Sequence, residues 1–110
     1  MNSFSILVVS AFMATFSDII HGDQPVLVDF YADWCGPCQQ MAPVLSELKG
    51  ELNGQAQVIK VDVDKNQKVS QVYQIRTIPT MILFKKGKIL WRHSGTATKA
   101  QLKSVIAAHQ

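Results

Sequence analysis

An apolar run that ends in a closely spaced cysteine pair constrains this fold more than any other feature. Residues 25–32, PVLVDFYA, are apolar except for Asp29 and Tyr31's hydroxyl, which is typical of a central strand covered on both faces. Directly afterwards the chain reads DWCGPC, and from Cys35 onward apolar side chains recur with helical spacing. The sequence therefore predicts a buried strand that leads straight into a helix, with both cysteines at the junction.

The rest of the 110-residue chain alternates between strand and helix patterns. Further strands are predicted at SILVV (5–9), QVIKVDV (57–63), TMILF (80–84) and KILWRH (88–93), with helices beginning near 14, at the cap Asp64 and at Thr98. Strand–helix–strand order implies parallel neighbours, whereas a KKG turn makes the last two strands an antiparallel hairpin. We expect one domain over residues 1–110, an α/β fold whose central mixed five-stranded sheet (β-α-β-α-β-α-β-β-α) has helices on both faces.

The N-terminal segment allows three interpretations. The stretch SILVVSAFMATF is apolar but too short for a bilayer, which takes ~20 residues. A signal peptide would need a positively charged leader and a small-x-small cleavage site, and the segment matches neither well. We expect residues 1–13 to be a short first strand or an extension upstream of a start at Met13. A cytoplasmic protein without membrane association is thus predicted, and export is the alternative.

The basic residues do not predict a nucleic-acid interface. The formal net charge is +3, and all eleven Lys and Arg residues lie from Lys49 onward. The cluster of Lys85, Lys86 and Lys88 flanks Gly87, which is typical of a solvated hairpin turn with lysines that discourage edge pairing. Nucleic-acid binding would require more basic residues on one face, interleaved with aromatic ones.

The two cysteines, Cys35 and Cys38, could in principle bind zinc, form a structural disulfide or act as a redox pair. Zinc requires four ligands, and the three histidines are isolated in the sequence, so we expect no metal site. A disulfide that closes so small a loop removes little entropy from the unfolded chain. The start of a helix, by contrast, offers unpaired N–H groups and a positive dipole end, which favour the reactive thiolate.

The residues around the pair fit a reactive site. Pro37 suits the first helical turn, where its missing N–H costs nothing, and Gly36 leaves the neighbouring sulfur approachable. Cys38 lies one step further into the helix, so we expect it to be the less exposed of the two and able to attack a bond formed at Cys35.

Asp29 is a second candidate on physical grounds alone. A carboxylate in the middle of an apolar strand should be buried, which is costly unless the group is paired or protonated. A raised pKa would suit a residue that accepts a proton from Cys38 and returns it. A hydrogen-bonded strand-end aspartate without a catalytic role is the alternative interpretation.

The chain resembles the thioredoxin family over about residues 14–108. The segment VLVDFYADWCGPCQQMAPVL resembles the family's active-site strand and helix, and IRTIPTMILFKKGK resembles its cis-proline loop and hairpin. KVDVDKN resembles another of its strands, and SGTATKAQL the glycine turn before its last helix. The combination of WCGPC with a distant TIPT is far more specific than a C-x-x-C alone. The resemblance implies a single thioredoxin domain with a thioredoxin fold.

The resemblance also assigns roles around the cysteine pair. Cys35 is implied to attack a disulfide on a partner protein, and Cys38 to resolve the mixed disulfide that results. Trp34, Gly36 and Pro37 complete the active-site loop. Oxidising relatives tend to carry a histidine between the cysteines, and its absence here predicts a reductant.

More distant residues acquire roles by the same resemblance. Lys60 is implied to partner Asp29, although an exposed strand lysine is the alternative. The bond between Ile78 and Pro79 is implied to be cis and to face the cysteines, with the Ile78 backbone free to pair with substrate. Gly95 is implied to keep the binding groove open, and a simple turn glycine is the competing interpretation.

The resemblance implies a monomeric protein-disulfide reductase that is recycled by an NADPH-dependent thioredoxin reductase. Its substrates would be disulfide-containing proteins, and it would need no cofactor besides its own redox-active disulfide. An exported reductase and a non-catalytic binding subunit with the same fold are the alternatives. One departure concerns Tyr31, which stands where many relatives carry tryptophan.

Overall fold

The structure, a computed structural model, describes residues 15–110. Its helices are α1 (residues 15–20), α2 (Gly36–Glu51), α3 (Gln67–Val72) and α4 (Lys99–Ala108), and its strands are β1 (Val26–Tyr31), β2 (Gln57–Asp62), β3 (Thr80–Lys85) and β4 (Lys88–Ser94). The predicted first strand, residues 5–9, lies outside the described residues. Among the helices described, none has the length and apolar character needed to cross a membrane.

The described strands form one mixed sheet in the order β2-β1-β3-β4. Strand β1 is central, parallel to β2 and antiparallel to β3, and β3 and β4 form the predicted antiparallel hairpin. The expected mixed sheet is confirmed, but the described chain contributes four strands to it rather than five. All of β1 except Tyr31 is buried, as its apolar sequence predicts.

Helices cover both faces of the sheet, and alternate residues of β1 point to opposite sides. Leu27 belongs to the cluster beneath α2 and α4, whereas Val26, Val28 and Phe30 belong to the cluster on the α1 and α3 side. Asp29 follows Leu27 by two residues and therefore points to the same face of the sheet. Its carboxylate thus lies on the face of β1 that packs against α2. The first cluster also contains Met41, Leu45, Leu48, Met81, Leu83, Leu102 and Ile106.

Helix α2 is fixed to the sheet by the stripe that its sequence predicts. Met41, Leu45 and Leu48 are each at most 3% exposed and face the sheet. Truncation of one such side chain to alanine typically costs about 2–5 kcal/mol, so the stripe firmly sets where the first turn of α2 lies. The cysteines in that turn are thereby held on a rigid element.

The turn of the β3–β4 hairpin docks onto the end of α1. The N–H groups of Lys86 and Gly87 donate to the carbonyl oxygens of Gly22 and Ile20 at 3.0 and 2.8 Å. Gly87 has φ 78°, and a Cβ at this position would overlap the ring of His21. The turn therefore requires glycine for its backbone conformation and for its close approach to α1.

Candidate active site

Cys35 and Cys38 are joined by a disulfide at the start of α2, with their Cα atoms 5.2 Å apart. Cys35 is the N-cap residue, in extended conformation, and its Sγ accepts a hydrogen bond from the Cys38 N–H at 3.2 Å. The sulfur thus occupies the position in which Ser or Asp usually caps a helix. Because this position stabilises negative charge, it favours the thiolate of Cys35 once the bond is reduced.

The two cysteines are equally buried, which corrects one sequence-based expectation. Each is 4% exposed, so Cys38 is not the more buried of the pair. Both Gly36 and Pro37 are exposed, and a side chain at Gly36 would meet no other atom within 4 Å. Access to the disulfide therefore lies on the side where these two residues leave open space.

Trp34 forms an exposed apolar surface beside the disulfide. It is 71% exposed, and its indole Nε1 donates to the Asp64 carboxylate at 2.8 Å. Tryptophan is enriched at protein interfaces because it combines a large apolar area with one hydrogen-bond donor. Asp64 follows β2, so two loops at the same edge of the sheet meet here.

The segment before β3 lies against the disulfide. The peptide bond between Ile78 and Pro79 is cis, and the Ile78 carbonyl oxygen lies 3.7 Å from the Sγ of Cys35. The Pro79 carbonyl accepts from the Gly95 N–H at 2.8 Å, and Gly95 has φ 95° with open space around its α-carbon. Gly95 therefore forms a turn here, and the space beside its α-carbon is open.

Asp29 is the one buried carboxylate without a hydrogen-bond partner in the described chain. It is fully buried, and neither of its carboxylate oxygens forms a hydrogen bond within residues 15–110. Desolvation by burial raises the pKa of Asp29 from its ordinary 3.8 to about 6, against an opposing electrostatic effect of Lys60. The carboxyl group can therefore change its protonation state close to neutral pH.

Lys60 is paired with Asp29 in register but is not hydrogen-bonded to it. The two residues lie opposite each other on the parallel strands β1 and β2, while the Lys60 Nζ lies 4.3 Å from the centre of the Tyr31 ring. A cation over an aromatic face is an attractive arrangement. Lys60 thus acts on Asp29 through its electric field and not through an ion pair in contact.

A cavity of about 250 Å³ lies between Cys38 and Lys60. Its lining includes Tyr31, Cys38 and Lys60, together with Ala32, Asp33, Gln39 and Ala42. Since one water molecule occupies about 30 Å³ in the liquid, the cavity has room for several. Water in this space would lie between the Cys38 side of the disulfide and the polar groups at the edge of β2.

The structure brings all ten predicted site residues to one edge of the sheet or to the strands β1 and β2 directly beneath it, and Lys60 also lines the adjoining cavity. Two contacts at this site were not predicted. Asp64 accepts the hydrogen bond from the Trp34 indole. Asp64 was expected to cap α3, but this helix begins at Gln67 with Asn66 as its N-cap, so that expectation is wrong. The hydroxyl of Thr80 donates to the Thr77 carbonyl at 2.6 Å, across the cis bond between Ile78 and Pro79. No signal in the sequence identifies these partners, although the polar residues themselves are visible.

Potential metal ligands do not cluster around the cysteines. In the part of the chain from residue 15 onward, there is no group of three or more His, Cys, Asp or Glu side chains that could hold a metal ion.

A disulfide at a helix N-terminus, faced by a cis-proline loop on a mixed α/β sheet, defines a thiol–disulfide oxidoreductase. The family model described as Thioredoxin matches residues 7–108, and the chain therefore belongs to the thioredoxin family.

Individual relatives agree with this assignment. The chain is 48% identical over 90 residues to a thioredoxin-like protein of Synechocystis sp., covering 81% of this chain and 86% of the relative. It is 47% identical over 87 residues to a bifunctional thioredoxin reductase/thioredoxin of Mycobacterium leprae, covering 79% of this chain and 19% of that protein. A mutant thioredoxin from Halobacterium salinarum has a similar structure, with a TM-score of 0.80, 38% identity and coverage of 87% and 83% of the two chains.

The buried carboxyl group predicts a specific dependence of stability on pH. The unfolded chain loses the Asp29 proton near pH 3.8, whereas the folded protein retains it up to about pH 6. The free energy of unfolding should therefore fall as pH rises through this window, by up to about 3 kcal/mol. Asp29→Asn is neutral at every pH, so its stability relative to the wild type should increase between pH 4 and pH 7.

Urea denaturation of the oxidised proteins at a series of pH values measures this difference. Asp23→Asn, which changes an exposed aspartate, is the matched control, and its curve should run parallel to that of the wild type. Parallel curves for Asp29→Asn and the wild type would contradict the assigned protonation behaviour.

Proposed function

We propose that this protein is a protein-disulfide reductase that acts by dithiol–disulfide exchange through Cys35 and Cys38. The observation that carries the proposal is the position of the disulfide. It lies at the N-terminus of α2, with open space beside Gly36 and with the Ile78 carbonyl 3.7 Å from the Cys35 sulfur. Such a site favours a thiolate nucleophile and allows a polypeptide to approach it.

In the first step, the Cys35 thiolate attacks one sulfur of a substrate disulfide. The substrate S–S bond breaks, its other sulfur leaves with the electron pair and takes up a proton, and a mixed disulfide with Cys35 is formed. In the second step, Cys38 loses its proton and attacks the Cys35 sulfur. The second substrate sulfur then leaves, so that the substrate has gained two electrons and two protons and Cys35–Cys38 is oxidised.

Asp29 is proposed as the proton acceptor for Cys38 in the second step. Burial raises its pKa to about 6, so the carboxyl group is mostly ionised at neutral pH. Because this pKa is above that of an ordinary aspartate, the carboxylate is a stronger base and accepts a proton more readily. Cys38 and Lys60, which is paired with Asp29 in register, line the same cavity, and a water molecule held there is proposed to carry the proton. Lys60 is proposed as the partner that stabilises the ionised form of Asp29, because its positive charge lowers the pKa of the Asp29 carboxyl group.

Substrate binding is proposed to involve Trp34, Ile78, Pro79 and Gly95. The exposed indole offers apolar contact area beside Cys35. Ile78 lies just outside the regular sheet, so its backbone can pair with an extended substrate segment, a form of β-strand addition. Open space at Gly95 leaves room for that segment.

Recycling by an NADPH-dependent thioredoxin reductase completes the proposal. The Gly36–Pro37 pair, without a histidine, favours a reductant, and one relative is named a bifunctional thioredoxin reductase/thioredoxin. We propose a cytoplasmic monomer that acts on disulfide-containing proteins and uses no dissociable cofactor, nucleic acid or membrane. An exported reductase and a non-catalytic binding subunit remain the competing candidates.

Insulin reduction tests the reaction. With dithiothreitol, and separately with NADPH and a thioredoxin reductase, the wild type should accelerate precipitation of the insulin B chain. Cys35→Ser should abolish activity because the nucleophile is lost, whereas Cys38→Ser should accumulate the mixed disulfide. An inactive wild type in both assays would contradict the proposal, and retained partner binding by Cys35→Ser would then favour the binding subunit.

The proton-transfer role of Asp29 has its own test. Asp29→Asn should slow resolution of a preformed mixed disulfide by about tenfold or more near pH 7, since general base catalysis commonly contributes a hundredfold or more. Stopped-flow measurements across pH 5–9 should also show that the variant lacks the inflection near pH 6. A wild-type rate and pH profile in Asp29→Asn would remove Asp29 from the mechanism.

A further inference from the structure

The side chain of Arg92 reaches from β4 to the end of α3. Its Nη1 donates to the Tyr73 carbonyl oxygen at 2.5 Å, and its Nη2 donates to the Gln74 carbonyl oxygen at 2.9 Å. The last carbonyls of a helix lack partners within the helix and carry the negative end of its dipole. A guanidinium group suits two adjacent acceptors because its donors form a planar fork.

These two carbonyls lie where the chain turns from α3 towards the disulfide. Gln74 has φ 54°, in the left-handed region, and the Ile75 N–H returns to the Ser70 carbonyl at 2.9 Å. This pattern ends the helix and redirects the backbone. Only three residues separate Gln74 from Ile78, so the backbone direction at Gln74 determines the position of Ile78.

The other end of the same segment is also held by the β4 region. The Gly95 N–H donates to the Pro79 carbonyl at 2.8 Å, and Gly95 follows Arg92 by three residues. We define residues 75–79 as the docking segment. Residues 92–95 thus contact the two residues just before the docking segment, which form its entrance, and its last residue, Pro79.

We propose that Arg92 is a positioning residue that fixes the entrance of the docking segment, so that the Ile78 backbone is ordered before a protein substrate binds. The inference rests on the proposed substrate binding at Ile78. A docking segment that is already ordered spares the substrate the entropy cost of ordering it. The Arg92 side chain hydrogen-bonds to the Tyr73 and Gln74 carbonyls, and it thus affects binding without entering the sulfur chemistry.

Two substitutions of Arg92 distinguish the effect of its two hydrogen bonds from the effect of its positive charge. Arg92→Leu removes both donors, and Arg92→Lys retains the charge but cannot present the planar fork. Both variants should raise KM for insulin, by about threefold to tenfold in Arg92→Leu, with kcat unchanged. Lys88→Leu is the matched control, because it removes an exposed cation from the same strand and should leave KM as in the wild type.

Two further measurements distinguish positioning from a general structural effect. Reduction of a small disulfide, 5,5′-dithiobis(2-nitrobenzoic acid), should proceed at the wild-type rate in all variants because it needs no docking segment. Hydrogen exchange should become faster at the amides of residues 75–78 in Arg92→Leu and remain unchanged in the strands of the sheet.

The outcomes separate this proposal from the proposed function. An unchanged KM for insulin in Arg92→Leu, or an equal loss of rate with the small disulfide, would overturn the role of Arg92 while leaving the reductase activity intact. If the wild type does not reduce insulin, the proposed function fails, and hydrogen exchange alone decides whether Arg92 orders the docking segment. Unchanged hydrogen exchange at residues 75–78 in Arg92→Leu would then overturn the proposed role of Arg92.

Discussion

The site depends on the burial of the Asp29 carboxyl group on the face of the sheet that packs against α2. The same apolar packing that holds α2 in place also removes water from this group, since Leu27 and Met81 belong to the cluster on its side of the sheet. A charged group without a hydrogen-bond partner destabilises the fold near neutral pH, and an apolar residue would pack there at lower cost. The proposed proton transfer to and from Cys38 explains why a carboxyl group occupies this buried position despite the loss of stability.

The topology of the sheet explains why distant segments meet at one edge. Strand β1 ends beside the end of β2, with Tyr31 paired to Asp62, and Phe30 is paired to Thr80 at the start of the antiparallel β3. Thr80 is in turn paired to Ser94 at the end of β4. The loops that carry the disulfide, Asp64, the cis-proline and Gly95 therefore emerge together, at the edge where ligands commonly bind in α/β proteins.

Local sequence patterns predicted the elements but not their long-range contacts. The apolar run of β1, the stripe of α2 and the cap Thr98 of α4, whose side chain accepts from the Gln101 N–H, depend on neighbouring residues alone. The bond between Trp34 and Asp64 spans 30 residues, and that between Arg92 and Gln74 spans 18, so each exists only once the sheet register is set. The resemblance predicted a partnership of Lys60 with Asp29, but the position of the ammonium group over Tyr31 depends on side-chain packing that no periodicity encodes.

The most direct test is a titration of the Asp29 carboxyl group in the oxidised protein. Carbon-13 NMR with labelled aspartate follows each carboxyl signal, and Asp29→Asn identifies the signal by its loss. We predict a pKa of about 6 because burial disfavours the charged form, and a higher pKa in Lys60→Met because the opposing positive charge is removed. An Asp29 signal that titrates near the ordinary 3.8 would contradict a desolvated carboxyl group at the centre of this site.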